Sequence, residues 1–453
     1  MKENQKLALF DITMIVIGLV IGMGIFRTAK DAAAASSSPL FYFSVWILGG
    51  LIAICGALTY AEIGSRYPIT GGYYKIFAVC YHPSIAFGIN CIILISNAAS
   101  LSGVALIGSE YMAPLLFKDP SSFTEAMIAM SAIILFYGVN LMGLHLSSKT
   151  QNVLMIIKMS MILVLVAALF FPSLYHQNAH SMETASNLLS GNNVLLFGVA
   201  LKAVSFTYGG YQQTINFGEE VQNPQKNMPR GIVMGIFIII ALYLSVNYSY
   251  YKIIGFDELK TTRGIAAIVV EKMFGESGKY IFSVLLFLAV LAYVNVLLLS
   301  NPRVMYAMSL DKILPAAFRR KDEKRDVLTI SLTVFAGICV IVLFFADRFD
   351  QILSFSIFLD SIGMATSAGA IFFLRKRTKH LDNTGIYKMK LYPLLPVIFI
   401  IAYLFVGTVI AITNPEYAIT GLSVLTVFIV MYFIFHKKEN KRDDYSENGL
   451  LKE

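Results

Sequence analysis

Two short glycine-rich stretches place backbone groups where they could bind a ligand. Gly18, Gly22 and Gly24 interrupt an apolar run near the N-terminus, and Gly209 and Gly210 are adjacent within another apolar run. Each glycine weakens a helix by about 1 kcal/mol relative to alanine. A helix broken there offers N–H groups to an anion and carbonyl oxygens to a cation. A zwitterionic amino acid suits both kinds of group.

The glycines of the first stretch also fit a second interpretation. Small residues four positions apart, such as Gly18 and Gly22, let two membrane helices pack closely. The second stretch favours broken helices, because the two interruptions fall in the first and sixth apolar runs, which correspond in two halves of five runs. Paired broken helices meet near the midplane of transporters built from inverted repeats. Within lipid, such breaks must line a cavity or contact a ligand.

The rest of the chain has the composition of a membrane protein. Its 453 residues are 57% hydrophobic and 14% charged, with a mean hydropathy of +0.68, whereas soluble proteins average about 25% charged residues. Its continuous apolar runs are long enough to cross about 30 Å of hydrocarbon as helices and too long for the strands of a barrel. The sequence therefore predicts an all-α membrane protein of about twelve transmembrane helices. The predicted spans are 12–36, 41–62, 84–111, 125–145, 149–172, 193–217, 231–254, 280–300, 327–346, 351–374, 393–413 and 416–436.

Lysine and arginine predict the orientation in the membrane. They concentrate in loops that follow even-numbered spans, above all in 319–325 and 374–379, and after the last span. By the positive-inside rule, both termini are cytoplasmic, with 1–11 as the N-terminal segment and 437–453 as a charged tail. The formal charge of +8 reflects this bias, so we expect lipid and not nucleic acid as a partner. We expect a multi-pass protein of the cell membrane, the inner membrane of a bacterium.

Several kinds of chemistry lack the residues that they need. The six histidines are scattered, and no HExxH, Cys/His cluster or Walker lysine motif is present, so no metal, cofactor or enzymatic activity is expected. The four cysteines form no CxxC pair and lie within spans or on the cytoplasmic side. No disulfide-linked partner is therefore expected. A gradient-driven transporter, a channel and an intramembrane enzyme or scaffold remain, and the glycines favour the transporter.

Four sequence stretches carry a specific resemblance. They are "IGMGIF" (21–26), "YAEIGSRYPITGGYY" (60–74), "FTYGGYQQTINFGEEVQNPQKNMPRGI" (206–232) and "SNPRVMYAMSLDKILP" (300–315). They resemble motifs of the amino acid–polyamine–organocation superfamily, most closely its L-type amino acid transporter branch. The resemblance implies the five-plus-five inverted repeat of the leucine-transporter fold, with repeats at 12–172 and 193–374 and two additional helices within 391–436.

The resemblance also implies a substrate site at the two breaks. The substrate carboxylate would meet the N–H groups of Met23, Gly24 and Ile25, and its amino group would meet carbonyls near Val20, Phe206 and Gly209. Phe206 would also close over the substrate. Met23 stands where the family commonly has a serine, so a hydroxyl donor is missing. The implied site also includes Gly22, Thr207, Tyr208 and Gly210, with Tyr211 and Gln212 shaping the side-chain pocket or a gate.

Lys158 is a lysine well inside the fifth span. Such a residue is costly in a membrane and is by default a functional hypothesis. One interpretation is that its ammonium extends to the cytoplasmic surface, near Lys149. The resemblance favours a second interpretation, in which Lys158 takes the place of the sodium ion that coupled relatives hold next to the first broken helix.

Other charges lie within or near the spans. Arg27 and Lys202 could form an outer salt-bridge gate, with Asp31 or Glu110 as partners of Arg27, or they could attract an acidic amino acid. Asp360 in span ten could pair with a cation or hydrogen-bond a neighbouring helix. On the cytoplasmic side, Glu62 is predicted to contact a basic residue such as Arg66.

The sequence therefore predicts a sodium-independent secondary amino acid transporter that works by alternating access. It would be an exchanger or a proton-coupled symporter, for small or neutral L-amino acids. One alternative is a carrier of acidic amino acids, selected by Arg27 and Lys202. An alternative of another class is a receptor or channel on the same fold that does not transport.

Overall fold

A computed structural model describes residues 6–22, 24–69, 71–174, 191–262, 264–325, 327–345, 349–378 and 385–450. Within these ranges the chain forms helices, and only two isolated bridge pairs have strand-like hydrogen bonding. The α-helices are α1 (Leu9–Val20), α2 (Gly24–Ala34), α3 (Pro39–Arg66), α4 (Gly72–Cys80), α5 (Pro83–Leu116), α6 (Ser122–Leu141), α7 (Leu144–Ala167), α8 (Gly191–Tyr208), α9 (Pro224–Ile254), α10 (Phe256–Thr261), α11 (Ile265–Leu310), α12 (Thr329–Phe345), α13 (Phe349–Arg377), α14 (Leu394–Thr413) and α15 (Pro415–Leu450).

The helices confirm the prediction of an all-α membrane protein. In the described part of the chain, ten helices are long and apolar enough to cross a membrane, and α1 and α2 together form an eleventh span with a bend of 46°. The shorter apolar helix α12 matches the predicted ninth span. Each predicted run thus corresponds to one of these elements.

Three helical features were not predicted. The short helices α4 and α10 lie between spans, where the sequence was interpreted as loop. The eighth span was predicted at 280–300, but α11 covers Ile265–Leu310 and contains a kink at Gly275, where φ is +72°. The charged residues around this kink lower the local hydropathy, so the helical segment before Gly275 was not predicted.

The first span is interrupted at its glycines. Helix α1 ends at Val20, and Ile21 already has a non-helical ψ of 84°. Helix α2 begins at Gly24, and Met23 lies outside the described residues. The interruption falls where the glycine pattern predicts it.

The sixth span is interrupted at its paired glycines. Helix α8 ends at Tyr208, and a 3₁₀ segment covers Tyr211–Asn216. Gly210 between them has a φ of +114°, and a Cβ atom there would lie 2.2 Å from the carbonyl oxygen of Leu19. Only glycine fits both this conformation and this approach. The second break therefore contacts the end of α1 directly.

The helices pack around the long helices α5 and α11. Helix α3 packs along α9, α1 also packs on α9, and α2 packs on α8. Helices α14 and α15 lie at the periphery and keep large apolar side chains exposed, among them Ile401, Ile412, Ile419 and Val427. Exposed apolar surface of this extent suits contact with lipid.

Ion pairs and backbone hydrogen bonds join elements on the side of the bundle where the chain begins, which we call the terminal side. The backbone of Leu7 exchanges hydrogen bonds with Glu220 and Gln222, at 2.7 and 2.9 Å. The fully buried carboxylate of Glu62 accepts from Arg66 at 2.8 Å and from Arg375 at 2.7 Å. Arg66 is the predicted partner, whereas Arg375 on α13 was missed because it is distant in sequence.

Candidate functional site

A small cavity, with about 40 Å³ open to water, lies between the two helix breaks. Backbone from both breaks forms one part of its wall, and side chains from α5, α11, α13 and α14 form the rest. Its lining residues in the described part of the chain are Val20, Gly22, Gly24, Asn97, Ser100, Val104, Ser205, Phe206, Thr207, Gly209, Gly210, Gln212, Gln213, Tyr293, Ile357, Asp360, Met364 and Tyr403.

Most residues predicted for the substrate site border this cavity. The exceptions are Ile25, Tyr208 and Tyr211, which are buried but do not line it. The predicted contact of Met23 lies outside the described residues. The residues that do line it are Val20, Gly22, Gly24, Phe206, Thr207, Gly209, Gly210 and Gln212.

The two tyrosines support the cavity wall from behind. Tyr208 packs against Trp46 and Tyr243, with ring centroids 5.9 and 5.2 Å apart. The ring of Tyr211 packs edge-on against Tyr60 at 5.9 Å. Aromatic pairs of this geometry stabilise a fold beyond their buried area. These side chains therefore fix the breaks without contacting the cavity.

Gly24 brings α2 into contact with α8. A Cβ atom at Gly24 would lie 2.8 Å from Oγ1 and 3.1 Å from Cα of Thr207. The hydroxyls of Thr28 and Thr207 lie 2.5 Å apart, one turn further along. In the first turn of α2, N–H groups such as those of Gly24 and Ile25 have no partner within the helix. Gly24 thus serves helix packing as well as access to the backbone.

Lys158 reaches the first break from α7. Its side chain is fully buried, and its Nζ donates a hydrogen bond to the carbonyl oxygen of Ile21. That carbonyl is freed because α1 ends at Val20. The ammonium therefore lies against the broken helix and not at the membrane surface.

Tyr243 on α9 joins the two breaks and was not predicted. Its hydroxyl lies 3.1 Å from the carbonyl oxygens of both Val20 and Thr207, so one proton is shared between the ends of α1 and α8. An aromatic residue within an apolar span usually serves packing. The contact of Tyr243 with both breaks could therefore not be predicted from the sequence.

A chain of amide side chains borders the cavity and was also missed. Gln213 Nε2 donates to Asn97 Oδ1 at 3.0 Å, and Asn97 Nδ2 donates to Asn301 Oδ1 at 2.7 Å. Ser300 Oγ donates to Gln213 Oε1 at 3.2 Å. These contacts connect the second break to α5 and α11, and buried polar groups so paired fix one arrangement of the helices.

The two outer cations do not line the cavity among the described residues. Arg27 is 8% exposed, and its guanidinium lies 3.3 Å from the carboxylate of Glu110. Lys202 Nζ donates to Ser354 Oγ at 3.2 Å. Glu110 was one of the two predicted partners of Arg27.

Larger cavities lie on either side of the small one. On the terminal side, a cavity of about 860 Å³ is bordered by residues that include Lys6, Tyr67 and Arg303. Near the opposite end of α5, a cavity of about 500 Å³ is bordered by residues that include Glu110 and Glu276. Two broken spans that meet at a small cavity within a bundle of membrane helices are typical of transporters.

Comparison with known proteins identifies the family. Residues 7–435 match the amino acid permease family, and the chain belongs to it. The predicted relationship to the amino acid–polyamine–organocation superfamily and its L-type branch is thereby confirmed. The members are transporters, so the chain is not an enzyme.

Three relatives illustrate the range within this family. The chain is 28% identical to a serine/threonine exchanger of Bacillus subtilis, over 92% of this chain and 93% of the relative. It is 23% identical to b(0,+)-type amino acid transporter 1 of Mus musculus, over 95% and 88% of the two chains. It is also 23% identical to a cystine/glutamate transporter of Homo sapiens, over 95% and 85%. The relatives support amino acid transport, and their names differ in substrate.

Proposed function

We propose that this protein is a sodium-independent amino acid transporter that carries small or neutral L-amino acids by alternating access. The observation that carries the proposal is the hydrogen bond from Lys158 Nζ to the carbonyl oxygen of Ile21. A broken helix in a sodium-coupled carrier uses such carbonyls to coordinate the ion. An ammonium with three donors satisfies the same oxygen, so this chain needs no sodium there.

The lining of the cavity supports a neutral substrate over an acidic one. Among the described lining residues there is no lysine, arginine or histidine, and Asp360 supplies a carboxylate. An acidic side chain would meet this carboxylate, and like charges repel strongly in a medium of low dielectric constant. Arg27 is held by Glu110, which supports a gating role in place of the acidic-substrate alternative.

Alternating access is proposed to move two halves of the chain, 12–172 and 193–374, around the breaks. The cavities toward both ends of the bundle support such a motion, because alternating access requires space on each side of the site. We further propose that the terminal side is cytoplasmic, since the dense basic loops lie there, and that the membrane is a bacterial inner membrane. Exchange is the preferred mode because a relative is named an exchanger; proton symport is the second candidate.

Purified protein in liposomes tests this proposal. Uptake of labelled serine and alanine is measured with sodium or choline outside, into vesicles that are empty or loaded with unlabelled serine. We expect equal uptake in sodium and choline, and uptake that requires internal serine. A strict requirement for sodium would contradict the role of Lys158.

The same vesicles separate the remaining alternatives. Uptake into empty vesicles driven by an imposed pH gradient would replace exchange with proton symport. Flux that does not saturate would indicate a channel, and saturable binding without flux would indicate a receptor. Displacement of label by glutamate in preference to serine would favour the acidic-substrate carrier.

A further inference from the structure

Asp360 on α13 lines the cavity together with the backbone of the two breaks. It is the one carboxylate among the described lining residues. A charged group within a membrane span is costly unless it is paired or hydrogen-bonded. The Asp360 carboxylate therefore needs a cation or hydrogen-bond donors as partners.

The protein satisfies only part of this carboxylate. Ser96 Oγ donates to Asp360 Oδ1 at 2.5 Å, and Ser96 is itself held 3.0 Å from the hydroxyl of Ser356. In the described part of the chain, Oδ2 accepts no hydrogen bond, and no basic nitrogen lies within ion-pair distance of either oxygen. An ionised carboxylate has about four acceptor positions, so Asp360 retains acceptor capacity toward the cavity.

We propose that Asp360 accepts a hydrogen bond from the substrate's side chain, so that the cavity selects small amino acids with a side-chain hydroxyl. This inference rests on the proposed function, in which the backbone of the two breaks holds the α-carboxylate and α-amino groups. Asp360 then faces the remaining part of the substrate. The cavity has about 40 Å³ open to water, which favours a short side chain over a long basic one.

The selectivity follows from the cost of leaving a polar group without a partner. An amino acid with a methyl group in place of the hydroxyl displaces water from Asp360 and returns no donor. Sites built to hydrogen-bond a substrate hydroxyl reject such analogues strongly. A hydrogen bond to a charged acceptor corresponds to a preference of roughly ten- to hundredfold.

Two pairs of shape-matched amino acids test the inference in the unmodified protein. Serine is compared with 2-aminobutyrate and threonine with valine, as competitors of labelled serine uptake into liposomes. We expect serine and threonine to compete at least about tenfold better than their methyl analogues. Equal competition within both pairs would overturn the inference.

Variants then assign the preference to Asp360. Asp360→Asn removes the charge and keeps the shape, and we expect the preference for serine to fall roughly fivefold or more while 2-aminobutyrate is still carried. Asp360→Ala is expected to abolish the preference. The control is Ser361→Ala: this neighbouring hydroxyl donates to the carbonyl oxygen of Ile357 and does not line the cavity, so the preference should not change.

These experiments distinguish failure of this inference from failure of the proposed function. If the unmodified protein transports no amino acid, the proposed function is wrong. If it transports without hydroxyl preference, only the present inference is wrong. A folded Asp360→Asn protein that transports neither serine nor 2-aminobutyrate would also overturn it, because Asp360 would then act in transport itself. If the variants do not fold, the two pairs in the unmodified protein decide.

Discussion

Gly210→Ala is a substitution for which the structure predicts a large effect from a single carbon atom. The added Cβ would lie 2.2 Å from the carbonyl oxygen and 2.9 Å from the carbonyl carbon of Leu19. Both are backbone atoms at the end of α1, so a side-chain rotation cannot relieve the overlap. The two breaks would have to separate.

Two terms set the magnitude. A residue other than glycine at a φ of +114° costs about 1–3 kcal/mol in backbone strain. Forcing an extra carbon into a packed contact costs about 1–3 kcal/mol more. The sum is about 2–6 kcal/mol, and each 1.4 kcal/mol is a factor of about ten in a rate or population. We therefore expect transport to fall at least about tenfold.

The assay compares Gly210→Ala with Gly337→Ala in α12. A Cβ atom at Gly337 would meet no atom within 4 Å, and alanine is the better helix former, so the control should keep its transport rate and thermal stability. Serine exchange in liposomes and the melting temperature in detergent are measured for both variants. Normal exchange and an unchanged melting temperature for Gly210→Ala would refute the direct contact between the breaks.

Three further predictions concern the helix breaks and the outer ion pair. Lys158→Ala should reduce exchange by at least about tenfold, because a buried carbonyl loses a charged donor. Membrane insertion, measured by yield and monodispersity, should be retained, and an unchanged exchange rate would contradict the role of Lys158 at the break. Replacing Arg27 or Glu110 by glutamine should change the exchange rate and leave the order of competing substrates unchanged; a new preference for glutamate in the Glu110 variant would favour selection by charge. Gly24→Ala should impair exchange, and adding Thr207→Ala should restore part of the rate if the clash with Thr207 Oγ1 is the cause. If the double variant shows no rescue, the loss would instead come from blocked access to the backbone N–H groups of α2.

The spans and their breaks could be predicted because both are local properties of the sequence. An apolar run of sufficient length must become a helix in lipid, and glycines weaken it where they stand. Both interruptions could therefore be predicted to within a few residues, the first from Gly22 and Gly24 and the second from Gly209 and Gly210. The same rule did not predict the part of α11 before Gly275, because charged residues lower the local hydropathy near this kink.

The side chains of the site could be predicted only in part. Lys158 was identified because a lysine in a span is rare, and its cost draws attention whatever its neighbours are. Tyr243, Asn97 and Gln213 carry no such signal, since tyrosine and amide side chains occur in spans for many reasons. Their contacts depend on which helices meet, and that information is not local. Asp360 stood out by its charge, but its partner Ser96 lies on another helix.

The structure also limits which carbonyl groups at the breaks remain for a substrate. The Val20 carbonyl oxygen accepts from Gly22 N at 2.7 Å and has the Tyr243 hydroxyl at 3.1 Å, and the Ile21 carbonyl accepts from Lys158. Each carbonyl oxygen has two lone pairs, so protein donors already match both acceptor positions of the Val20 carbonyl. Lys158 and Tyr243 therefore satisfy carbonyl groups that the first break frees, and a substrate amino group that uses the Val20 oxygen must displace one of the donors already there.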